Sequence, residues 1–129
     1  EQILVPISPG ELLDKITILE IKSERISDEE KVRNVRLELS LLNDTWSQSV
    51  TADETVLRIH SELKTINEAL WEIEDDIRDK EKAREFDQKF IELARAVYFT
   101  NDKRAAAKKE LNTYLGSDIV EEKSYQDYS

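Results

Sequence analysis

The chain has 129 residues, 37% of them charged and 39% hydrophobic, with a formal net charge of −10 at pH 7. A chain this long buries roughly two thirds of its unfolded surface, enough for one core, so residues 1–129 read as a single domain. Two Gly and two Pro leave little turn material for an all-β fold. The acidic balance argues against gripping nucleic acid or an anionic membrane, both of which need clustered Lys and Arg.

Within the opening residues 1–7, the stretch from Gln2 to Ile7 is largely apolar and interrupted by Pro6, which suggests an extended arm lying on the rest of the molecule. Ser8-Pro9-Gly10-Glu11 then sets an N-cap Ser, a Pro at the first helical position and a capping-box Glu in order. Ile7 and Leu12 stand at the hydrophobic-staple positions, and the first helix is predicted from Pro9 to Ile26. It carries more apolar residues than one seam requires, so it should pack on more than one side. Ser27-Asp28-Glu29-Glu30 repeats the box ahead of a second helix, whose seam is Val32, Val35, Leu39, Leu42 and Trp46. A third box, Thr51-Ala52-Asp53-Glu54, opens a long helix with Val56, Ile59, Leu63, Ile66, Leu70, Ile73 and Ile77 at every third or fourth position. That spacing predicts coiled-coil-like packing against partner helices along its whole length.

Arg78 to Glu85 is nearly all charge, so the third helix either ends there or crosses it as a solvated stretch. Phe86, Phe90, Leu93 and Val97 resume the seam in a fourth helix to about Tyr98. Thr100-Asn101-Asp102 resembles a cap and predicts a fifth helix, stopped by Gly116 at a C′ position. Residues 117–129 are polar and predict a flexible tail. The fold expected is all-α: an antiparallel helical bundle of four to five helices with one long central helix, an extended N-terminal arm and a flexible C-terminal tail.

Chemistry has few places to reside. Cys is absent, which removes disulfides, thiolate nucleophiles and zinc knuckles. His60 is the only histidine and makes a poor metal site alone. Asn67, Trp71, Glu74 and Arg78 lie along one face of the third helix, either edging the core or lining a cleft. Glu72 and Asp75 have the E-x-x-D spacing of helical Mg²⁺-dependent pyrophosphatases, but the second acidic string those enzymes need is missing. On the first helix Asp14, Lys15 and Lys22 have little open water and must find partners. They belong to a charged network inside the bundle, with Arg78, Arg95 and Asp102 as candidate partners, or Lys15 and Lys22 form an anion pocket with Arg95 and Arg104.

The strings VPISPGELLDKITILEIKSERI, LWEIEDDIR and FIELARAVYFTND resemble a family of small bacterial and phage-borne proteins known only as a domain of unknown function. The likeness runs from Val5 to about Tyr125 and implies no activity, substrate or catalytic residue.

The reading favoured by the sequence is a non-enzymatic bundle acting through a protein partner or self-association. No cofactor, nucleic acid or membrane is expected. The absence of a bilayer-spanning stretch and of a signal peptide suggests a cytoplasmic location. The alternative is a protein or enzyme for a small anionic, phosphorylated ligand, with a pocket between helices. Its candidate residues are Lys15, Lys22, Asn67, Trp71, Glu74, Arg78, Arg95, Tyr98 and Arg104, with Glu74 and Asp75 holding Mg²⁺.

Overall fold

The computed structural model describes residues 1–128 and is all-helical, with no strand among them. Four helices follow one another: α1 (Pro9–Arg25), α2 (Glu29–Ser49), α3 (Glu54–Ala83) and α4 (Gln88–Tyr114). α1 packs on each of the other three, α3 also packs on α4, and the backbone of α2 approaches α1 alone. The longest helix is therefore α3, while the central one is α1.

Each helix start is fixed by a side-chain cap. Ser8 accepts from the Glu11 N–H, as its box predicts. At the next two starts the caps are Asp28 and Asp53, and the expected Ser27 and Thr51 stand outside. A carboxylate at the N-cap satisfies an orphan N–H and also meets the positive end of the helix dipole, which favours Asp over its hydroxyl neighbour. Asp87 does the same for α4.

The expected fourth and fifth helices are one. α4 runs unbroken through Thr100-Asn101-Asp102, because the run contains neither Gly nor Pro and its polar side chains are engaged sideways rather than as caps. Asn101 faces Arg104, and Asp102 pairs with Lys123. The charged stretch after Arg78 is mostly helix, ending where Arg84 adopts a left-handed conformation (φ 55°). The Glu85 and Arg84 N–H groups close back on the carbonyls of Lys80 and Glu81, a Schellman arrangement whose left-handed residue is ordinarily Gly. An L-residue there costs about 1–2 kcal/mol, part of which glycine's extra chain entropy takes back. Arg84→Gly is therefore expected to stabilise the protein by about 0.5–1 kcal/mol, read as a higher denaturant midpoint at unchanged slope. A lower midpoint would show that the Arg84 side chain matters more than its backbone. Gly116, at φ 65°, fills the same role after α4, as the sequence suggested.

The core gathers Leu12, Leu13 and Ile16 of α1, Trp46 of α2, Val56, Ile59 and Leu63 of α3, and Ala107 and Leu111 of α4. Only the first half of the long α3 seam is buried. Ile66, Leu70, Ile73 and Ile77 are half-exposed. Side-chain pairs from α1 to α3 end at Glu72, so the later turns have only α4 beside them. In that hairpin Arg58 pairs with Glu110 and Lys80 with Asp87, an antiparallel order.

Both termini depart from expectation. Ile3, Leu4 and Val5 stand in solvent, and only Ile7 packs on the core. The tail, by contrast, lies against α4: Glu121 reaches Lys108 at 2.9 Å, Lys123 reaches Asp102, and Tyr128 packs on Tyr98 and Phe99. Ser129, the last residue of the expected tail, lies outside the described residues.

Candidate functional site

Polar chemistry concentrates where α1 crosses α4. The two helices run antiparallel, so Gly10, Glu11 and Asp14 meet Asn112, Lys108 and Arg104 in reverse order. Asp14 is 1% exposed and receives two hydrogen bonds from the Arg104 guanidinium, one of them 2.8 Å from Nε. Asn67 of α3 donates to the same carboxylate and to Thr17, both at 3.0 Å. Lys108 Nζ, nearly buried, lies between Glu11 at 2.8 Å and Glu121 of the tail. Among the described residues no buried side-chain polar atom is left without a partner.

The electrostatics follow from this pairing. Burial by itself raises the Asp14 carboxyl, but the guanidinium of Arg104 and the amide of Asn67 outweigh it and hold the group below the usual range. Burial pushes the Lys108 ammonium down, and the two carboxylates more than reverse that. An acid–base catalyst needs a group poised near its working pH. Asp14, Arg104 and Lys108 are each driven further into the charged state, which suits groups that fasten helices.

Of the nine residues singled out for a ligand, the structure joins Asn67 and Arg104, which meet on Asp14. Tyr98 and Arg104 line one cavity of about 690 Å³ between α4 and the tail, together with Asn101, Lys108 and Tyr125. The others are dispersed. Glu74 and Arg78 are exposed and pair with each other. Arg95 sits over the Phe99 ring, 5.6 Å from its centroid. Lys15 is exposed, while Lys22 and Trp71 are half-buried. Glu74 and Asp75, suggested for Mg²⁺, are both exposed, and no group of three His, Cys, Asp or Glu fit to hold a metal ion occurs among the described residues. His60 bonds Glu20 at 2.9 Å.

Lys108, Asn112 and Glu121 were missed as members of the seam. A signal for the first two was present: Glu11 and Asp14 a turn apart on one helix, and Arg104, Lys108 and Asn112 at intervals of four on another. Acids and bases at matching spacings fit together when the helices run antiparallel.

What remains conspicuous is apolar surface. Ile3, Leu4 and Val5 are 86%, 89% and 68% exposed, and Phe86 and Ile91 are uncovered at the turn between α3 and α4. No helix among the described residues is long and apolar enough to cross a membrane.

Fold and seam together define an all-helical protein whose central helix is tied to its last by ion pairs with one buried partner each. Residues 3–128 match a family described as a family of unknown function, DUF6165, and the chain belongs to that family. Comparisons with curated proteins and with solved structures gave no match.

Proposed function

We propose that this protein works by holding another protein chain on its surface rather than by transforming a small molecule. The observation that carries the reading is the arm: three consecutive apolar residues, each more than two-thirds exposed, on a chain otherwise rich in charge. Single exposed apolar side chains are ordinary, but a contiguous run on an extended segment fits the clefts of partner proteins. The same observations give less to a small anionic ligand, since Arg104 is already engaged by Asp14 and Arg78 by Glu74. A cytoplasmic setting, and an origin among bacteria or phage, belong to this reading through the composition and the sequence resemblance.

The test compares native mass in an extract of the cells that make the protein. The wild-type chain should run in a complex well above its own 15.0 kDa. An Ile3→Glu, Leu4→Glu variant should lose that complex while melting at the wild-type temperature, because neither side chain touches the core. A wild-type chain that runs at its isolated mass would overturn the proposal.

A further inference from the structure

α2 carries two stripes and has a neighbour for one. Val32, Val35, Leu39, Leu42 and Trp46 face inward, on the side of α1, the single helix whose backbone α2 approaches. On the opposite side, at spacings of three and four, run Glu30, Arg33, Leu37, Leu41, Asp44 and Gln48, all exposed. At 3.6 residues per turn this second stripe lies about half a turn from the first. Leu37 and Leu41 are 64% and 42% exposed.

The order of residues on that stripe is symmetric. The helix spans Glu29–Ser49, so its midpoint is Leu39, and the two leucines lie equally far on either side. The flanks carry opposite charges: Arg33 on the N-terminal side, Asp44 on the C-terminal side. Neither makes an ion pair within the chain among the described residues.

We infer that α2 pairs antiparallel with α2 of a second copy of this chain, about a two-fold axis beside Leu39. The inference rests on the reading that the protein works through contacts with other chains, and it names the occupant of one surface. An isologous contact of this kind repeats every interaction twice. Leu37 meets the copy's Leu41 and Leu41 the copy's Leu37, covering the exposed leucines. One turn further out, Arg33 comes beside the copy's Asp44, and Asp44 beside the copy's Arg33. A parallel pairing of the same faces would stack Arg33 on Arg33 and Asp44 on Asp44, and like charges set against each other favour the antiparallel arrangement over it. One helix stripe sits at the small end of specific interfaces, so the dimer is concentration-dependent.

Sedimentation equilibrium from micromolar to millimolar protein tests this directly. The wild-type mass should climb from one chain towards two. Arg33→Asp and Asp44→Arg should each weaken association about tenfold, since each turns two attractive contacts into repulsive ones. The double variant Arg33→Asp, Asp44→Arg should associate as the wild type does, because swapping both charges restores both pairs. Both positions are exposed, so thermal melts of all three variants should match the wild type. A constant monomer mass, single variants that dimerise normally, or a double variant as weak as the singles would each overturn the α2 pairing. None of those results touches the arm, whose own test reads a complex through Ile3 and Leu4.

Discussion

Replacing Asp14 with Ala is expected to destabilise the protein by about 3 kcal/mol, the low end of the range for stripping one partner from a buried ion pair. Three hydrogen bonds are lost at once, two from Arg104 and one from the amide of Asn67, which keeps its bond to Thr17. The Arg104 side chain is 30% exposed and can recover some solvation, which keeps the loss from being larger. Asp14→Asn should cost less, since its carbonyl still accepts hydrogen bonds, but it should also change the response to acid. A carboxylate held lower in the folded than in the unfolded chain contributes stability at every pH above its unfolded value of about 3.9. That contribution is lost as pH falls through the lower, folded value. The wild type should therefore lose stability on acidification below about pH 4. Asp14→Asn should lose less over the same interval, with Asp53, Asp87 and Asp102 supplying the acid dependence that remains. Denaturant titrations at neutral pH and at about pH 3 give both quantities. Parallel pH curves for the wild type and Asp14→Asn would show that Asp14 is not a preferentially ionised anchor.

Much of the fold was readable because helix signals are local. The Ser8 cap, the Pro at the start of α1 and the Gly after α4 act within a turn of their own position, so sequence alone places them, while at α2 and α3 it places the helix start within two residues but names the wrong cap. The polar triplet at Thr100 misled for the opposite reason. Whether Asn101 and Asp102 cap a new helix or reach sideways depends on Arg104 and Lys123, the latter some twenty residues away. The burial of α1 was legible from its surplus of apolar residues, and so was the need of Asp14 for a partner. Which base answers that need was not, because it depends on the register of α1 against α4. Lys15 and Arg104 look alike as cations in a string of letters. In the folded chain one is solvated and the other closes a buried pair. The outward stripe of α2 was equally hidden, since Leu37 and Leu41 become notable only once α2 is known to have a single neighbour.

Gly10→Ala is the second substitution with a large expected effect, and it tests the register itself. The α1 start lies so close to α4 that a Cβ on residue 10 would sit 2.5 Å from the Lys108 carbonyl oxygen and 2.9 Å from Asn112 Oδ1. The first of these is backbone in the middle of a helix and cannot swing aside. The second accepts the Gly10 N–H at 2.7 Å, so moving it breaks a buried hydrogen bond. α1 must instead lift from α4, and one turn along lies Asp14 with its two-pronged contact to Arg104. Overpacking of this kind costs about 1–3 kcal/mol. The better helix propensity of Ala returns up to about 1 kcal/mol of that. A net loss of about 1–2 kcal/mol should appear as a fall in Tm of roughly 3–10 °C for a domain this size. The displacement should also weaken the pair a turn away, so Gly10→Ala and Asp14→Ala should be less than additive when combined. A Gly10→Ala variant as stable as the wild type would mean that α1 and α4 stand further apart than the structure places them. The buried pair between Asp14 and Arg104 would then lose its geometric basis as well.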